Sequence, residues 1–489
     1  MPGRPNRQSI RAVGQGGAKT IMRVAARVAV LAVAALWCAV PVGARAGTGR
    51  HVPVGGWGHA AARAVNVGPT AARPALRPAG LNLDGLGEEG TGPEPADVSA
   101  APGPRFVVEA VNSRVAGYTR AGTVRCSVAL TALLGAVDGG PRVLYDPAAD
   151  RYAVVATTPA DPGGPTVVRL AVTRSGDPCG GWWSYDVSFT GTLFPAGTRL
   201  DHPYLAQNPG ALLLSANGYA GPAYVGSAAF ALPKAPFYAG VPVAVPAFPV
   251  AYSTAPVTAT DDGDDDWYVA AVPGVGYHLY QMVNSAGSGT LLLDAGTVPA
   301  PFQPPTRWAR QCSGAGLDPL DGRIPSPPVR VGDYVWFAHG IDVGGRPGVR
   351  YGALDVFTGS VAVATAARSA TSDDLNPSIA AGDAGYGLDN VWLTWAATDP
   401  GARPCQDVAV MVDGVPPGDG VPDQNGVGIL VATGGGTRTA APFGRYSSIV
   451  VDPVNRPGCP PGTAAVAAQQ YFGTDGRWRT RIARVESCR

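Results

Sequence analysis

Glutamate all but vanishes from this chain after residue 100, where only Glu109 and Glu486 remain. Histidines number five, and charged residues make up 15% of the sequence. The two signs nearly cancel, with 37 Lys and Arg against 36 Asp and Glu. No excess of positive charge is left to track a phosphate backbone, so no nucleic-acid partner is expected. No C-x-x-C, P-loop, G-x-G-x-x-G after a strand or G-x-S-x-G elbow occurs. Beyond the N-terminus no apolar run reaches the ~20 residues of a membrane span, and no amphipathic helix of ordinary length is evident.

Glycine (67) and proline (48) are abundant instead. Both penalise helix interiors and suit tight turns, so the composition points to strands and turns. Near the start, Arg23 and Arg27 precede the apolar "VAVLAVAALWCAVPVG", then "ARAG". A basic region, a short apolar core and small residues at Ala44 and Ala46 read as a secretory leader over 1–46, cleaved after Ala46 rather than kept as an anchor. The expected location is secreted, with no stable membrane span after cleavage. Removing Cys38 leaves Cys126, Cys179, Cys312, Cys405, Cys459 and Cys488. An even set in an exported chain reads as disulfides; the sequence does not choose among the 15 pairings.

Residues 47–104, rich in Ala, Gly and Pro, read as a flexible linker. From 105 to 489 one unit recurs. "PRVLYDPAADRYAVVAT" starts at Pro141, and echoes start at His202, Ala255, Ser326, Asn376 and Tyr446, with a divergent member at Phe106. Each is a short apolar strand, a polar turn and a second apolar strand. Further strand pairs follow, such as "TVVRLAVTRS" and "WWSYDVSF". A small sheet of this kind cannot bury both faces alone, and a closed ring of them can. The expected fold is all-β, a single β-propeller of about seven four-stranded blades. Six blades, with the Phe106 segment completing the last one, is the alternative, and a pair of β-sandwiches is the runner-up.

Asp146-Pro147 with Arg151-Tyr152, "SGDPCGGWWSY" (175–185), "DHPYLAQN" (201–208) and the closing "GRYSSIVVDP…AAQQYFGTDGRWRTRIARV" (444–485) carry a resemblance. The chain from Phe106 onward resembles exported bacterial β-propeller proteins of sialidase-like architecture, most of them functionally uncharacterised. The sialidase Asp box is S-x-D-x-G-x-x-W. Ser175, Asp177 and Trp182 match it, with Cys179 in the glycine position, and "TDGRW" (474–478) is a looser echo. The resemblance implies a structural turn between third and fourth strands, with Trp182 packed beneath. It also sets a requirement for sialidase chemistry: three arginines on a carboxylate, a Tyr–Glu pair and an acid. Glu486 lies close to the C-terminus and Glu109 has no evident Tyr partner, so a true sialidase is not expected.

Other glycosidases need two carboxylates, and Asp can serve for both. Asp146, Asp201, Asp333 and Asp355 lie near strand ends and are the candidate catalytic acids, although Asp before Pro or Gly is commonly a turn residue. His202, Trp308, Trp336 and His339 are candidate ligand-binding residues. Asp261, Asp262, Asp264, Asp265 and Asp266, and in a second loop Asp419, Asp423 and Asn425, are candidate ligands for a structural Ca²⁺, against solvated turns as the plainer reading. Two functions follow. The favoured one is a secreted non-catalytic propeller binding an extracellular carbohydrate or protein. The alternative is a secreted glycan hydrolase or lyase working through Asp.

Overall fold

Short runs of Val, Ala and Leu broken by Gly, Asp and Pro turns become four-stranded antiparallel sheets. A computed structural model of the chain describes residues 6–14, 77–92, 96–161, 163–189, 193–259, 265–383, 389–415, 429–437 and 443–488. It holds seven such sheets in a propeller arrangement.

Blade 1 consists of Val98–Pro102, Phe106–Val111, Arg114–Thr119 and Val124–Ala129. Blade 2 is Gly139–Asp146, Arg151–Thr157, Val167–Thr173 and Trp182–Ser188. Its first hairpin is the repeating "PRVLYDPAADRYAVVAT" unit, with Tyr145 opposite Tyr152 and Asp146 opposite Arg151. Blade 3 is Arg199–Gln207, Ala211–Ala220, Ala223–Pro233 and Ala244–Val250. Blade 4 is Ala255–Pro256, Asp265–Val272, Gly276–Val283 and Leu291–Pro299. Blade 5 is Val329–Val331, Tyr334–Asp342, Pro347–Asp355 and Ser360–Ala366. Blade 6 is Asp373–Asp383, Asp389–Asp399, Gln406–Val415 and Ile429–Thr433.

Blade 7 closes the ring. Ser448–Val451, Ala464–Phe472 and Trp478–Glu486 come from the C-terminal end of the chain, and the outermost strand is Arg77–Gly87. Asn82 pairs with Ala483 and Leu83 with Ile482. The seven-blade count therefore stands, and the closing strand is not the Phe106 segment, which begins a blade of its own. Residues 77–102, read from sequence as linker, carry that strand, the short helix Glu88–Thr91 and the first strand of blade 1.

The first-named strand of each blade is innermost except in blade 5, where the short strand Thr258–Ala259 pairs in parallel with the inner edge of Val329–Val331, and the inner strands line the axis. The front face is the one where they begin, and the back face is where they end. Six buried apolar clusters hold the ring, and they lie between neighbouring blades. Leu170, Val187, Leu214 and Phe230 join blades 2 and 3. Trp336, Tyr351, Leu393 and Trp395 join blades 5 and 6. Wedging blade against blade removes from water the faces a single sheet cannot cover.

The six cysteines pair as Cys126–Cys179, Cys312–Cys405 and Cys459–Cys488. The Asp-box turn has its expected place between the third and fourth strands of blade 2. Ser175 Oγ accepts the Asp177 N–H at 3.3 Å, Asp177 Oδ1 accepts the Cys179 N–H at 2.9 Å, and buried Trp182 donates Nε1–H to the Pro178 carbonyl at 3.1 Å. Cysteine replaces glycine in the box because Cys179 is the staple to blade 1. The echo at 474–478 sits elsewhere, in the turn between Ala464–Phe472 and Trp478–Glu486. Asn6–Gly14, within the stretch assigned to the leader, pairs in parallel with the outermost strands of blades 2 and 3 and joins them into one nine-stranded sheet. The apolar core and cleavage site of the leader lie outside the described residues.

Candidate functional site

Three innermost strands start with the same backbone device. Gly140-Pro141, His202-Pro203 and Asn376-Pro377 each place a left-handed residue (φ 59°, 51° and 50°) before a proline. Each coincides with a break in pairing to the second strand. An extra residue there re-aims the following side chains. Gly140 also leaves room beside the Tyr446 hydroxyl, which lies 3.1 Å from where a Cβ would stand.

The result is a cluster at the front end of the axis. Arg142, 3% exposed, lies 3.5 Å from the Tyr446 ring centroid. It reaches across the axis, donating Nε–H to the Pro203 carbonyl and Nη1–H to Ser326 Oγ, both at 3.3 Å, and Nη2–H to the Pro325 carbonyl. His202 is fully buried between the edges of Tyr204 and Tyr446. Its ring nitrogens make no well-formed hydrogen bond. Burial, with the charges of Arg323, Arg142 and Arg445, holds its pKa well below the ordinary value, so the ring is neutral.

Several acids of this face are engaged by arginine. Arg445 bonds Asp97 at 2.6 Å and Asp201 at 2.8 Å, and Arg199 also faces Asp201 at 3.5 Å. Burial works to raise the Asp201 pKa, but the Arg445 and Arg199 charges prevail and hold it below the usual carboxylate value. Arg323 engages Asp321 at 2.7 Å. Arg307 and Arg310 hold the buried carboxylate of Asp373 at 2.7 and 3.2 Å. Asp374 is pushed up to about 6 by burial, a range suited to a general acid. Its oxygens are taken, however, by Ser372 Oγ, Trp395 Nε1 and the Arg368 N–H, and it does not face the axis opening.

Beside this cluster three tyrosines form a rim. Tyr219 and Tyr224 flank the turn between the second and third strands of blade 3, and Tyr252 lies on the link to blade 4. Tyr224 meets Tyr252 edge-on at 5.1 Å, and Arg323 lies 5.0 Å from the Tyr252 ring centroid. Tyr224 is 43% exposed. Sequence reasoning missed all three. The signal available was their spacing, two at either end of one hairpin turn, but nothing local places Tyr252 against them.

The candidate catalytic acids are not brought together. Asp201 is at the front, consumed by Arg445. Asp146 is at the back, buried and held by Lys234 at 2.9 Å and the Tyr238 hydroxyl at 2.8 Å while capping its own turn at the Ala148 N–H. Asp333 and Asp355 occupy back-face turns of blade 5, and Asp355 caps the N–H groups of Phe357 and Thr358 at 2.9 Å. These are the turn roles that Asp performs well. Among the candidate ligand residues, Trp336 and His339 are buried in the core. His339 is a satisfied core histidine, with Nε2 against the Tyr277 hydroxyl at 2.9 Å and Nδ1 against the Gly340 carbonyl at 3.1 Å. Burial pushes its pKa down to about 3. Trp308 is 56% exposed, on the blade 4–5 link that Cys312 staples to Cys405.

Glu109 does have a tyrosine partner. The Tyr118 hydroxyl donates to it at 2.8 Å. The pair lies away from the axis, against the closing strand, where Glu109 also accepts the Leu86 N–H at 2.8 Å. It is a structural pair.

Among the described residues no group of three or more His, Cys, Asp or Glu could hold a metal ion. Asp266 is buried and accepts from Asn208 Nδ2 at 2.6 and 2.7 Å. Its neighbour Asp265 accepts the Arg330 guanidinium on its carbonyl at 2.5 Å. Asp261, Asp262, Asp264, Asp419, Asp423 and Asn425 lie outside the described residues.

No protein-family model matches the chain, and none of the curated proteins does. Solved structures are similar in fold at low identity. A GH93 α-L-arabinofuranosidase of Fusarium graminearum matches at 8% identity and TM-score 0.38, over 81% of this chain and 93% of that one. A subtype N11 neuraminidase-like protein of A/flat-faced bat/Peru matches at 10% and 0.38, over 73% and 97%. The polysaccharide lyase Uly1 matches at 10% and 0.39, over 79% and 89%.

Proposed function

We propose that the protein is a secreted, non-catalytic propeller whose front face binds a carbohydrate. One observation carries this reading: the acids around the front cluster are already paired, Asp97 and Asp201 with Arg445, Asp321 with Arg323 and Asp373 with Arg307, and Asp374 has its oxygens taken by Ser372, Trp395 and the Arg368 N–H. A glycosidase needs one carboxyl free to give a proton and a second free to attack or activate water. Ion-paired carboxylates do neither, and Asp201, Asp321 and Asp373 are also held below the usual carboxylate value by their arginines. Planar side chains with hydrogen-bonding neighbours suit a sugar ring, and the Tyr219–Tyr224–Tyr252 rim, with Arg199, Arg323 and exposed Trp308, offers that combination. Structural Ca²⁺ belongs to this reading at the two acidic loops, residues 261–266 and 419–425. An unchanged melting temperature between chelator and millimolar Ca²⁺ would remove it.

The test is a glycan array followed by a reducing-sugar assay on each retained glycan. Retention without released sugar is expected. Tyr224→Ala should weaken retention by roughly 2- to 10-fold, the worth of one exposed aromatic contact at about 0.5–1.5 kcal/mol. Release of reducing ends would replace the reading with the hydrolase alternative. Retention of a protein ligand and of no glycan would move it to protein recognition.

A further inference from the structure

A cavity of about 310 Å³ runs along the axis behind the front cluster. Its walls come from the innermost strands: Ala100, Val143, Leu205, Ile379 and Ile449 contribute apolar surface. The front end is blind. Arg142 lines it there, with Ser326, Ser378 and Ser447, all of them buried. The back end is open, where the lining residues Pro147, Val450 and Pro453 are exposed.

Arg142 sets the chemistry of this space. Three of its five N–H groups have the described acceptors Pro203, Pro325 and Ser326, all uncharged. Among the described residues no carboxylate bonds it. Asp97 acts on it only through space, because Asp97 and Asp201 are held by Arg445. A guanidinium stays protonated at any ordinary pH, and a buried one is costly without an anion in contact. An apolar tube with one cation at its closed end selects a molecule of matching polarity.

The geometry points to the axial cavity as a binding site for a slender amphiphilic carboxylate, entering tail-outward from the back face with its head on Arg142. The volume is at the lower end of small-molecule sites, ~300–1,000 Å³, which favours a single short acyl or aryl acid. Carboxylate is chosen because Nη1 and Nη2 each keep one N–H with no acceptor among the described residues, and a guanidinium takes the two oxygens of a carboxylate on two N–H groups. This site is separate from the proposed glycan rim, which lies on the opposite face, so either can fail without the other.

Calorimetry of the full chain with octanoate, octanol and octylammonium tests it. One-to-one binding of octanoate, at least tenfold tighter than octanol and with octylammonium excluded, is expected. Arg142→Gln should bring octanoate to the level of octanol. That variant also loses axial hydrogen bonds, so Val450→Trp is the second arm. Val450 is 37% exposed at the open end, and a tryptophan there blocks entrance while leaving Arg142 in place. Loss of octanoate binding in Val450→Trp at unchanged melting temperature supports the site. Equal affinity for octanol, unchanged binding in a folded Val450→Trp, or no saturable binding to the wild type overturns it.

Discussion

Serine side chains do the work of a missing strand around the axis. The innermost strand of a blade has one edge without a neighbour, and its backbone groups still need partners. Ser448 Oγ accepts the Ala100 N–H at 2.8 Å, Ser99 Oγ accepts that of Val143 at 3.0 Å, and Ser378 Oγ that of Ile449 at 3.2 Å. Each bond links one blade to the next, so the ring is stitched as well as wedged. Ser448→Ala should cost about 1–3 kcal/mol in urea denaturation, because it leaves a buried N–H unpaired. A ΔΔG within a few tenths of zero would show that water replaces the hydroxyl. Arg445→Met should cost more, about 3–5 kcal/mol, since two acids then face one another without their cation. Histidine chemistry gives a second check at this scale. His202 and His339 both have depressed pKa values, so their ring proton signals should not titrate between pH 5 and 8. A midpoint near 6.5 for either would contradict its burial.

The closing strand shows how an element can be hidden in composition. Arg77–Gly87 lies within an Ala/Gly/Pro-rich stretch, yet "LNLDGL" alternates apolar Leu81 and Leu83 with polar Asn82 and Asp84. That period-2 signal was legible and short. Its partner lies almost 400 residues away in sequence, so no local repeat advertised it. Arg481 reaches Asn82 at 2.6 Å and Asp84 at 2.9 Å, and the Tyr471 hydroxyl reaches Asp84 at 2.6 Å. Behind the strand, the Thr480 hydroxyl lies 2.9 Å from the Leu86 carbonyl and 2.5 Å from Glu109 Oε1. One hydroxyl hydrogen cannot serve both. A protonated Glu109, donating to Thr480, resolves the conflict and agrees with burial raising its pKa. For an acid with a raised folded-state pKa, stability is highest at low pH and falls as pH rises from about 4.5 through the raised value. Glu109→Gln mimics the protonated form and should leave stability at pH 7 nearly unchanged or higher, with a flatter acid-side profile. Glu109→Ala should cost about 3 kcal/mol, having left the Leu86 N–H and Tyr118 hydroxyl unpaired. Equal losses in both variants would show that the carboxylate itself is required.

For the whole molecule, closure and cross-links divide the labour. Cys126–Cys179 ties blade 1 to the Asp-box turn of blade 2 across 53 residues, and Cys312–Cys405 ties the blade 4–5 link to blade 6 across 93. On the chain-entropy model these loops are worth about 4 and 5 kcal/mol respectively. The paired Cys→Ala variants should lower the denaturation free energy in that order, and an opposite order would point to native-state packing around the links rather than chain entropy. Closure is the other device: Arg77–Gly87, which precedes blade 1 in the chain, is the outer strand of the blade 7 sheet, so removal of residues up to 87 should lower the melting temperature more sharply than removal up to 76.

The sequence by itself determined the repeating four-strand unit, the Asp-box turn and the set of six bonding cysteines. All three are written in runs of a few residues, where side-chain alternation and turn chemistry act locally. Tertiary structure alone decided which cysteines meet, that Arg77–Gly87 completes the seventh blade, and that Arg142, His202, Arg445 and Tyr446 converge on the axis. The physical reason is that each blade supplies only one or two groups to the axis. Their partners are set by how seven wedges close, not by the spacing of any residues along the chain.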